Sequence, residues 1–258
     1  MSKGEVKQKL RINIDNFDNF INYLSIVSSI DDTLKIKIDN NEILIYSMIS
    51  SGNNILAFKS FILKTSDYFL DNIDYKMDII IPNCKKFVKN LAFLKDLDKV
   101  VFELNCKEDD DVLITRSFKI SSGRFKVTWL GGDSSTIRDI TSNNLSRLLD
   151  IENRKWSFNV VNGDFIDIKK LSSINGERII NMDVTNGLVI FSEKAAWELE
   201  VDKVEDNRNS NLIFNKRFLN CINDKMDSIE FNIFENFLLI KDDESNLLLS
   251  FEQSFEDD

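Results

Sequence analysis

The sequence predicts an α+β protein of two similar halves, each with two helices packed on β-sheet. Three observations lead there. A short helical pattern followed by a pair of alternating strands recurs four times, alternation of apolar and polar residues fills most of the rest, and the stretch 131–154 changes character midway. A lone short helix on a small sheet leaves its apolar side poorly covered, so units of this kind pair, two to a domain. The expected organisation is an N-terminal domain over 1–130, an interdomain connector over 131–154 and a C-terminal domain over 155–258.

In order, Leu10 to Ile14 reads as a strand. Phe17, Phe20, Ile21, Leu24 and Val27 then fall at helical spacing, with Asp15 or Asn16 as N-cap. Thr33 to Ile38 and Glu42 to Met48 alternate around Asp39-Asn40-Asn41 and read as a hairpin. Asn54 to Lys64 and Lys76 to Ile81 are further strands. Asn83, after the only proline, Pro82, is the expected cap of a second helix reaching Leu94. Its apolar positions Cys84, Phe87, Val88, Leu91 and Leu94 share one side, and Lys85, Lys86 and Lys89 lie opposite with no acid among them. Val100 to Cys106, Val112 to Ile120 and Arg124 to Trp129 read as strands.

Gly131-Gly132 opens the connector, a stretch that also suits a long surface loop with one helical turn. Trp156 to Val160 opens the second half as a strand. A helix follows from Asn162-Gly163 to Asn175-Gly176, feeding strands 178–184 and 188–191 about the turn Asn186-Gly187. Ala195 to Val201 is an alternating strand, and a fourth helix spans Lys216 to Asn223. Ser228 to Phe234, Phe237 to Lys241 and Leu247 to Phe251 are strands before an acidic tail.

Composition removes whole classes of function. The 258 residues are 43% hydrophobic, enough for a sizeable core. No apolar run approaches the roughly 18 residues of a membrane helix, and Met1 to Gln8 is charged with no apolar signal behind it, so a soluble, cytoplasmic protein is expected. Cys84, Cys106 and Cys221 are scattered outside any C-x-x-C spacing, and histidine is absent. That disfavours disulfides, zinc and most base-catalysed hydrolysis. No glycine-rich phosphate loop is present. The expectation is therefore no metal, no cofactor and no enzyme. A hydrolase with Asp109-Asp110-Asp111 or Asp242-Asp243-Glu244 as metal ligands is the one catalytic alternative, and both runs also suit solvated hairpin turns.

The net charge is −10, which argues against coating nucleic acid by bulk attraction. The distribution is uneven, however. Residues 15–30 carry −2, 83–95 carry +4, 163–174 carry 0 and 215–225 carry +2, so these helical stretches sum to +4 and everything else to −14. Lysines on a helix are commonly just a solvated face. Gathered on one side of a helix in an acidic chain, they also suit phosphates met without reading bases.

Asn162-Gly163-Asp164-Phe165 and Ser173-Ile174-Asn175-Gly176, with the Asn186-Gly187 turn and Leu188-Val189-Ile190-Phe191-Ser192 after them, resemble the start of the second domain of ring-shaped sliding clamps of the proliferating cell nuclear antigen type. Ser47-Met48 before Ser50-Ser51, Arg217-Phe218-Leu219-Asn220 and the strand Leu247 to Phe251 also match that family. Arg124 to Trp129 and the stretch beyond it are closer to tailed-phage clamps. The resemblance covers nearly the whole chain and implies a head-to-tail ring, usually a homotrimer. Such a ring encircles double-stranded DNA without sequence preference and tethers a DNA polymerase, after loading by an ATP-dependent clamp loader. It implies DNA contacts at Lys85, Lys86, Lys89, Lys169, Lys170, Lys216 and Arg217. Asp167 stands where many clamps have a basic residue, and the first helix, with Asp15 and Asp18, offers no cation.

The same resemblance implies a partner-peptide pocket lined by Met48, Leu148, Leu149, Phe237, Ser250 and Phe251. It places subunit edges at Arg124, Phe125, Val127 and Trp129 and at Trp197, Leu199 and Val201. Both tryptophans suit either an interface or the core of their own domain. A β-rich structural protein of a virion, joined head to tail by the same kind of edge, is the alternative from another class.

Overall fold

The computed structural model describes residues 7–39, 41–51, 54–70, 75–94, 100–174, 179–185, 188–192, 197–200, 210–222, 228–242 and 245–250. The chain divides into two compact units, Met1–Met48 with Ser60–Asp139 and Ile49–Lys59 with Ile140–Asp258.

Four repeats of one plan run along it: an entry strand, a helix and three further strands. The first repeat is β1 (Lys7–Ile14), α1 (Phe17–Val27), β2 (Thr33–Asp39), β3 (Glu42–Ser51) and β4 (Asn54–Lys64). After the single turn α2 (Thr65–Tyr68), the second is β5 (Lys76–Pro82), α3 (Cys84–Leu91, extended by a 3-10 turn, Ala92–Leu94), β6 (Val100–Asp109), β7 (Val112–Ser122) and β8 (Phe125–Leu130). The short α4 (Ser142–Leu148) precedes the third: β9 (Trp156–Val161), α5 (Asn162–Ile174), β10 (Ile179–Thr185), β11 (Leu188–Ser192) and β12 (Trp197–Glu200). The fourth is β13 (Ser210–Asn215), a 3-10 helix (Lys216–Cys221), β14 (Ser228–Ile233), β15 (Phe237–Asp242) and β16 (Ser245–Ser250).

The repeats interlock in pairs. β1 pairs with β6 while β5 pairs with β2, so each entry strand completes the sheet of the other repeat. The second half does the same, β9 with β14 and β13 with β10. All four pairings are antiparallel. Neither member of a pair can close its sheet alone, which explains why the helix-and-hairpin unit comes in twos. The first unit orders its strands β1-β6-β7-β5-β2-β3-β4 with β8 on β7. The second has β4-β16-β15-β14-β9 and a separate sheet β12-β11-β10-β13, with β4 counted in each because residues 54–59 belong to the second unit.

The core of the first unit follows from the spacing of apolar residues. Phe17, Phe20, Ile21, Leu24 and Val27 of α1 and Cys84, Phe87 and Leu91 of α3 are buried against Ile12, Ile14, Leu34, Ile36, Phe102, Phe118 and Ile120 of the strands. In the second unit Phe165 and Ile168 of α5, Met182, Phe218, Leu219, Ile229, Phe231, Leu238, Ile240 and Leu247 are buried. The fourth helix, expected as α over 216–223, is instead a 3-10 helix, Lys216–Cys221.

Gly131 and Gly132 are anchored in the first unit. The Gly131 N–H donates to Arg116 O (2.9 Å) and the Gly132 N–H to Ile80 O (2.9 Å). A Cβ on Gly131 would collide with the Thr115 carbonyl oxygen, and one on Gly132 would lie 2.6 Å from Ile80 Cγ2. Arg116 is the extra residue of a bulge, since Asn105 pairs with Ser117 and Cys106 with Thr115. Beyond the glycines, Lys35 Nζ lies 2.6 Å from both Asp78 and Asp139, Lys37 lies 2.9 Å from Asp139, and Tyr46 Oη donates to Arg138 O (3.1 Å). Residues 131–139 therefore lie across this sheet, and Lys35 is buried beneath them at 2% exposure.

Candidate nucleic-acid interface

In the first unit α1 and α3 pack against each other and turn their polar sides outward. Lys85, Lys86 and Lys89 of α3 are exposed, and among the described residues no carboxylate forms an ion pair with them. The outward residues of α1 are Asp18 and Ser25, exposed, and Asn19 and Asn22, partly exposed. One helix of the pair supplies all the positive charge.

Local chemistry fixes where α3 starts. Asn83 and Asn16 both occupy the left-handed region, with φ of 52° and 47°, and neither side chain caps its helix. Asn tolerates that conformation better than other non-glycine residues. The cap of α3 comes from the distant Asp32: its carbonyl accepts from the Cys84 N–H (2.8 Å) and its carboxylate from the Lys85 N–H (3.0 Å). A carboxylate there also suits the positive end of the helix dipole. Beneath it, burial first and then Asp32 push the Cys84 thiol far up, so it stays protonated.

In the second unit, Phe165 and Ile168 face the core from α5. Lys170 is exposed and pairs with Asp167 at 3.2 Å, so the acid noted in the sequence neutralises the neighbouring cation. Lys169 is partly buried, its Nζ 5.8 Å from the centre of the Phe165 ring. Lys216 and Arg217 open the 3-10 helix whose Phe218, Leu219 and Cys221, with Ile222 just after it, are buried.

The two strands expected at subunit edges are edges. Among the described residues β8 pairs with β7 alone and β12 with β11 alone. Arg124 is exposed in the Gly123-Arg124 loop that leads into β8, with Gly123 at φ 56°. Along β8, Phe125, Val127 and Trp129 point to the helix side. The Trp129 ring packs on Phe87 (5.3 Å) and its Nε1 donates to Pro82 O (3.1 Å), so this tryptophan turns towards its own core. Phe125 is 36% exposed and stacks on Phe93, which is 71% exposed. Sequence reasoning passed over Phe93, although helical spacing places it opposite Cys84, on the side of Lys86 and Lys89. Trp197 and Leu199 lie in β12, and Val201 falls outside the described residues.

Of the expected pocket residues, Met48 is buried in the first unit. In the second, Leu148 and Leu149 are partly exposed, Phe237 stacks on Phe234 at 4.2 Å, and Ser250 Oγ donates to Ile55 O (2.6 Å). Phe251 lies outside the described residues. Asp110 and Asp111 form the two-residue turn between β6 and β7, both at positive φ, while Asp243 and Glu244 are outside the described residues. Among the described residues no cluster of His, Cys, Asp and Glu could hold a metal ion, and no helix is long and apolar enough to cross a membrane.

No family model matches the chain, and no curated protein sequence does. Solved structures do. The proliferating cellular nuclear antigen of Entamoeba histolytica superposes with a TM-score of 0.68 over 94% of this chain and 98% of that one, at 14% identity. PCNA of Thermococcus kodakaraensis gives 0.65 over 95% of this chain and all of that one, at 12% identity. The DNA polymerase III beta subunit of Thermotoga maritima gives 0.65 over 98% of this chain but 67% of that one, at 11% identity.

Proposed function

We propose, from the sliding-clamp fold that the chain shares with these structures, that it is a DNA sliding clamp with no chemistry of its own. It closes head to tail with further copies around duplex DNA and tethers a replicative polymerase. The observation that carries this reading is the charge on α3: three exposed lysines on one helix face, with no ion-pair partner among the described residues, in a chain whose net charge is −10. Cations so placed contact phosphates and carry no base preference. Lys169, Lys170, Lys216 and Arg217 complete the lining, with Lys170 weakened by Asp167.

A trimer is the ring we propose, because the chain matches nearly the full length of the PCNA chains and only 67% of the beta subunit. β8 and β12, each with one strand neighbour among the described residues, supply the two different edges that a heterologous ring requires. In that ring 1–130 and 155–258 act as the two domains and 131–154 as their connector. Met48, Leu148, Leu149, Phe237, Ser250 and Phe251 receive a short apolar peptide of the polymerase. An ATP-dependent loader opens the ring, and its place is the cytoplasm of the cell in which replication occurs.

Sedimentation equilibrium at micromolar concentration tests the assembly, with a mass near three times 29.9 kDa expected. The variant Lys85→Glu/Lys86→Glu/Lys89→Glu should keep that mass yet lose polymerase stimulation on primed circular DNA. A monomeric wild type, or a triple variant that stimulates as well as wild type, would overturn the reading.

A further inference from the structure

We infer that the open side of the β7–β8 hairpin, which on the ring reading above faces away from the hole, is a second site for the phosphate backbone of duplex DNA, built on Arg11, Lys119, Arg124 and Lys126.

The sheet itself separates this site from the lysines of α3. Ile12, Phe102 and Phe118 point into the core shared with α1 and α3. Arg11, Glu103 and Lys119, at the alternate positions of β1, β6 and β7, therefore take the side turned away from the helices. Residues 131–139 cover that side over β2 and β5, where Lys35 is buried. Over β1, β6, β7 and β8 it is open: Arg11, Glu103, Asn105, Lys126 and Thr128 are exposed, and Ser117 and Lys119 partly so.

Register gathers the charge. Arg11 pairs with Glu103 and Glu103 with Lys119 in one cross-strand row, and Lys126, opposite Ser121, lies diagonal to Lys119. Neighbouring strands are about 5 Å apart, which puts the Arg11 and Lys119 positions about 10 Å from each other. Arg124 is exposed at the hairpin tip. Glu103 is the single acid of the row, and Lys119, by a 2.8 Å hydrogen bond and its charge, then Arg11 and Lys126 hold its carboxyl below the usual range. Four cations against that one acid leave +3 in a chain of net −10, so the other residues sum to −13. Along the chain the bias is the same, since residues 112–132 carry four cations and no acid.

The company these cations keep selects the ligand. Ser117, Ser121 and Thr128 place hydroxyls among them, and Arg, Lys, Ser and Thr are side chains that bond phosphate oxygens. A protein partner would need an apolar or aromatic centre to desolvate. On this side of the four strands the one large exposed apolar residue among those described is Leu130, at the end of β8. Unpaired strands are held by stacking bases on aromatic rings, and Phe125 and Trp129 take the other side. A duplex presents phosphates to such a surface and needs neither feature.

Anisotropy of a labelled short linear duplex in about 50 mM salt tests this. The starting chain is Lys85→Gln/Lys86→Gln/Lys89→Gln, which lacks the α3 contact, and circular dichroism confirms the fold of every variant. That chain should still bind, its affinity falling with salt on a log–log slope near about −3, as about three phosphate contacts give. Adding Arg11→Gln/Lys119→Gln/Arg124→Gln should weaken binding about tenfold or more and flatten the slope. Adding Lys64→Gln/Arg147→Gln/Lys155→Gln instead, an equal loss of charge at exposed positions elsewhere, should leave both nearly unchanged. The inference falls if the starting chain does not bind the duplex or if the second set of substitutions weakens binding as much as the first. It falls too if a polyglutamate peptide of equal charge binds as tightly, which would assign this side to an acidic protein segment. A wild type that never forms rings removes the ring reading and leaves this test as it stands, because one chain carries the whole site.

Discussion

Lys35 shows how far a single residue can depart from its sequence pattern. In β2 it stands between Leu34 and Ile36, at a position that alternation assigns to solvent. It is buried because residues 131–139 cross that face and bring Asp139 to 2.6 Å, opposite Asp78 on the next strand. A partner more than a hundred residues away leaves no mark on a local pattern. Burial disfavours the charge of Asp139, but hydrogen bonds from Lys35 and Lys37 outweigh it and hold the carboxyl below its ordinary 3.8. A carboxyl depressed in the folded state stabilises it at pH values above its unfolded pKa, and that contribution fades as pH falls through the folded value. Asp139→Asn should therefore lower the melting temperature at neutral pH, and its deficit should shrink below about pH 4. An equal deficit at pH 7 and pH 3 would refute this.

At the scale of elements, the sequence was most legible where spacing and turn chemistry agreed. α1 begins one residue after Asn16, one of the two residues expected to cap it, and α3 one residue after Asn83, the cap expected there. The capping itself was not legible for α3, because Asp32 performs it from an earlier loop. The β6–β7 turn uses Asp110-Asp111 where asparagine and glycine are the usual signal. The pair Gly131-Gly132 looked like the start of a loose connector and is instead a place where backbones pass too closely for a side chain. Gly131→Ala drives a Cβ into main chain that cannot move aside, and should cost about 3 kcal/mol, the upper end for overpacking. Gly123→Ala meets nothing within 4 Å and strains only a φ of 56°, a cost of about 1 kcal/mol. Urea midpoints compare the two directly, and Gly123→Ala proving the worse would contradict the packing argument.

Across the whole molecule, the fourfold recurrence was readable because each helix and hairpin carries its own periodicity. The exchange of entry strands between repeats was not, since pairing β1 with β6 and β5 with β2 depends on contacts no local window contains. The lysines of α3 were found by counting charge, and the shortage of cations on α1 by the same count. Phe93 was legible as an outward residue, since helical spacing sets it opposite Cys84, but a single apolar residue among lysines makes no pattern of its own. The three cysteines, one deep in each of α3, β6 and the 3-10 helix after β13, are all buried. The folded chain should accordingly stay silent to an aromatic disulfide reagent and release three equivalents only when unfolded. Ser25→Cys, on the exposed side of α1, should then react as one fast thiol per chain. Fast reaction of the unsubstituted protein would contradict the burial. The protein thus comes ready for site-specific labelling: a dye or a photocrosslinker can be placed at one chosen surface position without first removing the native thiols.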